Sequence, residues 1–512
     1  MVPALRLASV LLAVVCAGCT APLGSGIPAT TLSSADAYTL ANRITWGATP
    51  STVERLRAMG INAYLAAQLH PGNVGDLPAD IQAQIDGMTS LQRPLVELVR
   101  DMDQRRKDAE AKANDDEKKM AQQAYQTEMN LLARDAATRH LLRALYSPYQ
   151  VQEEMTWFWL NHFNVHQGKS NLRAMVGNYE ETAIRPYALG KFRDLLGAVV
   201  QHPAMLRYLD NEQNAVGHIN ENFARELMEL HTLGVDAGYT QQDVQELARV
   251  LTGVGINLGS ANPGQRKELQ SHYVRRGLFE FNPARHDFGA KHLLGQPILS
   301  RGLGELDEAL DRLARSPSTA RFVSKKLATY WLTDEPPKRL LQAMAQTFER
   351  SDGDIASTLA VLFMSPEFSI SEQQKFKDPV RFVVSAVRLA YDEKPVLNVG
   401  PMLNWINRMG EPLYGRATPD GYALQSSAWS SPGQLTTRFE VAKAIGSGNA
   451  GLFRSAGPQP QERPAFPQLA NALYYQSIIK TLRPATRQAL EQAASPQEWN
   501  TFLLSSPEMM SR

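Results

Sequence analysis

Apolar residues recur at three- and four-residue spacing along most of the 512-residue chain, the period of helices that bury one face. Thr49-Pro50 opens one such helix, with Thr as N-cap and Pro in the first turn, and Gly60 closes it. A short helix over 62–69 ends before His70-Pro71, and Ser147-Pro148 opens a third that runs to about Phe163. Further helices are predicted over 178–200, 220–233, 240–253, 305–315, 317–332, 337–349, 354–364 and 379–391. Strand-like alternation is scarce. The best run is Tyr273 to Phe281, where Phe279 and Phe281 flank Glu280. The predicted fold class is mainly α: a large multi-helix globular core with a long charged helical insert and at most a small β-hairpin.

That insert covers 98–140. From Asp101 to Lys119, 13 of 19 residues are charged, seven acidic and six basic. Mixed charges at these spacings describe a solvated helix laced by i,i+4 pairs; a partner-binding arm is the sharper alternative. The predicted layout is a leader over 1–19, a tether over 20–35, a helical core over 36–371 and a helical and looped region over 372–512 packed on that core. Thr418-Pro419-Asp420-Gly421 marks a turn in a long loop from Gly410 to Tyr422. The spacing Gly446-Ser447-Gly448-Asn449-Ala450-Gly451 matches a dinucleotide fingerprint, but it follows a helix rather than a strand and is read as a loop.

Charge narrows the function classes. With 53 Lys+Arg against 52 Asp+Glu, the net charge is +1, which argues against a broadly basic nucleic-acid binder. The two cysteines, Cys16 and Cys19, both lie in the leader. A disulfide framework and a cysteine-based zinc site are therefore excluded for the body. Arg6 precedes an apolar run, Leu7 to Val15, too short to span a bilayer and suited to a secretory signal. Its end, Cys16-Ala17-Gly18-Cys19, resembles a bacterial lipobox, with Cys19 as the acylated mature residue and Cys16 where Leu is usual. Thr20 after the cysteine resembles an outer-membrane destination. The expected location is the periplasmic side of the envelope or the outer membrane, held through an N-terminal lipid; ordinary signal cleavage and secretion is the alternative.

Four constellations carry candidate chemistry. On a helix, His162 shares a face with Met155, Phe158 and Trp159, so it is either a core histidine or a buried ligand or acid/base; His166, four residues on, could grip the same metal if the helix continued. In 210–234, Asp210, Asn211, Asn222, Arg225, Glu226, Glu229 and His231 gather. A helical wheel puts Asn222, Arg225, Glu226 and Glu229 on one face, and Glu226 and His231 about 140° apart. Arg225–Glu229 reads as an i,i+4 pair, and Gly234 as a helix stop. Thr240 with Asp243 reads as a capping box. Finally, His286-Asp287 with Lys291 lies in a loop after the strand candidate, either as a site or as a polar clasp. A metal-dependent site would draw on His162, Glu226 and His286, with a divalent ion as cofactor.

These blocks together resemble the bacterial proteins of domain-of-unknown-function family 1800. The resemblance runs through Arg43-Ile-Thr-Trp46-Gly47, Phe158-Trp159-Leu-Asn161-His162-Phe163, Ile184-Arg185-Pro186 and Tyr208-Leu209-Asp210-Asn211. It is densest at Asn220-Glu221-Asn222-Phe223-Ala224-Arg225-Glu226, and continues through Leu251-Thr252-Gly253, His286-Asp287 and Thr418-Pro419-Asp420-Gly421-Tyr422. Val254 and His166 depart from the family pattern. The resemblance implies a large, secreted, mostly helical bacterial protein, with a sulfatase- or phosphatase-like protein of family 1501 as a partner. It implies no particular reaction. The expected function is a binding or assembly protein of the cell envelope; the alternative is a secreted, metal-dependent, hydrolase-like enzyme.

Overall fold

Every residue of the helix Gln150–His162 is buried although seven of its thirteen are polar or charged, so those seven need partners inside the core. Its charges are matched in place. Glu153 receives two hydrogen bonds from Arg185, at 3.1 and 2.6 Å. Glu154 is paired with Arg381 of the helix Pro379–Tyr391, which is buried but for Ala390, accepts from the Tyr330 hydroxyl at 2.8 Å, and has Arg512 at 3.5 Å. Burial nonetheless raises the Glu154 carboxyl above its ordinary range, with Arg381 and Arg512 pulling against it. These pairs tie the C-terminal region to the core.

The computed structural model describes residues 33–72, 77–370, 375–454 and 466–512. The leader, Cys19 and the tether up to residue 32 lie outside the described residues. The described chain is mainly helical, with small antiparallel sheets, as the pattern predicts. Among the described residues no helix is long and apolar enough to cross a membrane. The predicted caps form. Thr49 accepts from the Thr52 amide ahead of Pro50, and Gly60 ends that helix at φ 76°. Thr240 and Asp243 cap reciprocally.

Several predicted elements are broken, each for a local reason. The run 178–200 is not one helix: a π segment Glu180–Ile184 and a 3-10 turn Arg185–Tyr187 precede the helix Phe192–Val200. Pro186 supplies no amide hydrogen to continue the ladder. The charged insert divides into Leu95–Glu110 and Asp115–Tyr146, where Asn114 accepts from the amides of Asp116 and Glu117 as a new N-cap. Its ion pairs at four-residue spacing form as expected, Asp101–Arg105, Asp103–Lys107 and Arg106–Glu110 among them. The second half of the insert is core, however, with Met129, Leu132, Ala136 and Leu141 buried.

The strand candidate 273–281 is a hairpin of β2 (Val274–Arg276) and β3 (Phe279–Phe281), turned at Gly277 with φ 63°. Glycine reaches that conformation without the Cβ penalty. A further strand, β1 (Val254–Ile256), pairs with β3 in the register Val254↔Phe281. The sheet order is β1-β3-β2, and a separate two-stranded sheet follows, so strand structure exceeds the single hairpin expected. The stretch 446–451 ends the helix Pro432–Gly446 as a turn.

Candidate functional site

The loop after Gly410 is built onto the end of the helix Gln150–His162. That helix stops at His162, so Asn161 and the residues after it present their amides to the loop. Asn161 donates to the Tyr422 carbonyl at 2.9 Å and accepts from the Tyr422 amide at 2.5 Å. Asn164 donates to the carbonyls of Arg416 and Thr418 at 2.9 and 2.8 Å. The Gln167 amide donates to Tyr414 at 2.9 Å. Gly421 must be glycine: its φ is 76°, and a Cβ there would overlap the Asn161 carbonyl oxygen. Gly421→Ala is accordingly expected to lift the loop and destabilise the protein by about 1–3 kcal/mol. Urea denaturation checks this, and an unchanged midpoint would contradict it. Two sequence blocks far apart along the chain, 161–164 and 418–422, thus meet.

The loop forms one wall of an open cavity of about 850 Å³. The helix Pro317–Trp331 and the turn 233–237 form the others. Arg321, Lys325, Lys326 and Arg416 line it against Asp236 and Asp420, with Phe322, Tyr422 and Trp429 between them. Arg416 and Asp420 satisfy each other at 2.9 Å. Lys326 is different. It is half-buried, and among the described residues its ammonium makes neither a hydrogen bond nor an ion pair. Its ammonium lies 5.5 Å from the centre of the Phe322 ring. Burial pushes the Lys326 ammonium down to about 8, against the pull of Asp420.

Beside this wall lie two buried histidines. His162 donates from Nε2 to the His231 carbonyl at 3.0 Å; a carbonyl only accepts, which fixes the tautomer. The two rings are 6.0 Å apart, and Phe322 lies 6.1 Å from His162. Nδ1 of His162 and both ring nitrogens of His231 have no partner. Burial holds both imidazoles neutral, His162 well below its usual range and His231 at about 3, and Lys326 adds repulsion to each. His162 is therefore not paired with His166, which lies beyond the helix end. Gly234 makes room for Phe322: a Cβ there would sit 2.9 Å from the ring.

The segment expected as a helix over 220–233 changes pitch. Asn222–Glu226 is α-helical and Leu227–Thr232 is a π-helix, in which bonds run i→i+5. The Leu233 amide accordingly reaches the Met228 carbonyl at 2.9 Å, and the wheel drawn at the α-helical pitch does not hold past Glu226. Arg225 pairs with Glu221 at 3.1 Å and with Glu229 at 3.5 Å. Asn222 donates to the Leu209 carbonyl at 3.2 Å. Asn211 is buried and donates to the carbonyls of Leu251 and Val254. Asp210, at φ 60°, accepts from Lys169 at 2.7 Å. Glu226 is half-buried, and its carboxyl is raised by burial and by Glu229 and Asp420.

The His286 loop is a clasp. Nδ1 of His286 donates to the Thr252 carbonyl at 2.8 Å, and Nε2 lies 3.2 Å from Glu305. Lys291, also buried, holds the other Glu305 oxygen at 2.7 Å. Asp287 is clamped by Arg249 at 2.8 Å, which holds its carboxyl down at about 2. Among the described residues no group of three or more His, Cys, Asp or Glu side chains could hold a metal ion, so His162, Glu226 and His286 do not form a triad.

Pattern reading missed Lys326, Arg321, Lys325 and Arg416. A signal existed. The helix Pro317–Trp331 carries Arg321, Lys325 and Lys326 and no acidic residue, whereas cations of the charged insert have partners one turn away.

The chain matches the family described as Protein of unknown function (DUF1800) over residues 39–511. No curated protein matches it, and no solved structure does. The match spans nearly the whole chain, and the chain belongs to that family.

Proposed function

We propose that this protein binds an anionic organic ligand in the cavity between the helix Pro317–Trp331 and the loop 416–429, and that it does so in the bacterial cell envelope. The observation that carries the reading is Lys326, a half-buried ammonium with no hydrogen-bond or ion-pair partner among the described residues. A charge withdrawn from water without a counter-charge is costly, and an incoming anion would relieve that cost. Four cations, Arg321, Lys325, Lys326 and Arg416, line the cavity against two carboxylates, Asp236 and Asp420, and Asp420 is already paired with Arg416. The aromatic side chains of Phe322, Tyr422 and Trp429 suit a ligand with an apolar body. The location rests on the leader: Cys19 as a lipid anchor would hold the cavity at the membrane surface, with a protein of family 1501 as a partner.

Pyranine, an aromatic trisulfonate, is a direct probe by fluorescence anisotropy. The wild-type chain should bind it at low salt, more weakly as salt rises. Lys326→Met should weaken binding at least about tenfold, the loss of one charge-assisted contact. Equal affinity in the two proteins, or no binding at low salt, would overturn the reading.

A further inference from the structure

Half-buried Lys326 differs from the fully buried lysines in what its nitrogen can reach. Lys291 is held by Glu305 at 2.7 Å. Lys377 is buried and donates to the Ser385 hydroxyl at 3.1 Å, and it is not part of the wall of this cavity. Lys326 has no hydrogen-bond or ion-pair partner among the described residues and sits on the wall of an open cavity, with the Phe322 ring as its neighbour. A primary amine attacks carbon only when its lone pair is free, and desolvation and nearby cations are what free it. We infer that Lys326 forms a reversible imine with a carboxylate-bearing aldehyde or ketone. The inference rests on the anion-binding reading and narrows its ligand class.

The chemistry balances without a co-reactant. The Lys326 ammonium first gives one proton to water. The neutral nitrogen then attacks the carbonyl carbon, a C–N bond forms, and the carbonyl oxygen leaves as water with the two hydrogens that nitrogen carried. Hydrolysis reverses the step. Arg321, which lines the same cavity, is the cation available to hold the carboxylate while this happens. The charged groups around Lys326 are Asp420 from the loop, Asp236 from the turn 233–237, and Arg321 and Lys325 from its own helix; His162 and His231, whose imidazoles its charge helps to keep neutral, stand behind it. Asp420 favours the ammonium and burial disfavours it, and burial dominates.

Glyoxylate with sodium cyanoborohydride tests the inference on the full chain, because the reductant supplies hydride to the imine and makes the adduct permanent. Peptide mass spectrometry then locates it. The expected result is a carboxymethyl adduct on Lys326, formed at least about tenfold faster than on Lys325, the exposed neighbour that shares the cavity. Propionaldehyde, which has no carboxylate, should lose the preference, and so should Arg321→Gln acting on glyoxylate. Labelling spread evenly over the lysines, or none on Lys326, overturns the imine. If pyranine still binds in that case, the anion-binding reading stands; if pyranine does not bind the wild type, that reading falls first.

Discussion

Acidification from about pH 7 to about pH 5 is expected to lower the thermal midpoint steeply, because three histidines are buried in their neutral form. His162 is held well below its ordinary range, and His202 and His231 at about 3, in each case first by burial. His202 shows why the neutral form is built in: its Nδ1 accepts the Ala204 amide at 3.1 Å, and Nε2 faces the Asn178 side-chain oxygen at 3.0 Å. Protonating Nδ1 would break the first contact. For a depressed histidine the unfolded chain takes up its proton first, near pH ~6.5, so stability is complete above that value and is lost on the way down to the folded pKa. At about pH 5 each histidine contributes a loss of about 2 kcal/mol. Three such losses are comparable to the whole stability of many domains, about 5–15 kcal/mol. Glu180 adds a later loss. Burial alone would raise its carboxyl, but His140, Arg139 and the Tyr414 hydroxyl hold it down at about 2, so its contribution fades between the ordinary glutamate range and that value. Glu411 and Glu154, both raised by burial, act in the opposite direction and recover stability as they protonate. Calorimetry against pH measures the sum, and His231→Leu isolates one member: its midpoint should fall less than that of the wild type over the same interval. A flat wild-type profile, or the same slope in His231→Leu, would count against this account.

Arg185→Met is expected to cost about 3–5 kcal/mol, the penalty for leaving a buried carboxylate unpaired. Glu153 and Arg185 are 4% and 8% exposed at their side chains, so water cannot replace the missing partner. The guanidinium holds both carboxylate oxygens, and only arginine offers that fork. The double variant Glu153→Met with Arg185→Met should recover much of the loss, because it removes both charges together. Urea unfolding of the two single variants and the double variant closes the cycle. Additive losses would show that the pair is not coupled.

How much of this was legible in the chain follows from which forces act locally. Caps are local, so Thr49, Gly60 and the Thr240–Asp243 box stand where their residue types put them. The period of the apolar positions located most helices, but it cannot tell an α pitch from the π pitch of Leu227–Thr232, since both keep the same residues buried over a single turn. Distant partners were invisible. His286, Asp287 and Lys291 look like chemistry in sequence because Glu305 and Arg249, which satisfy them, lie on other elements. Lys326 was overlooked for the opposite reason: a lysine on a polar helix face is ordinary, and what marks it is a missing partner. The Asn161 and Tyr422 blocks were both noticed, yet nothing in either block shows that one seats the other.

That last contact has a consequence for time rather than stability. Asn161 and Tyr422 are 261 residues apart in the chain, and closing so long a loop costs entropy before any contact offsets it. The helix and the turn that form the other walls bring together residues closer in sequence. The cavity is therefore expected to acquire its final wall late in folding. A chain still emerging from its ribosome would carry Lys326 without the loop that encloses it, and the cavity would be completed as one of the last events in the making of the molecule.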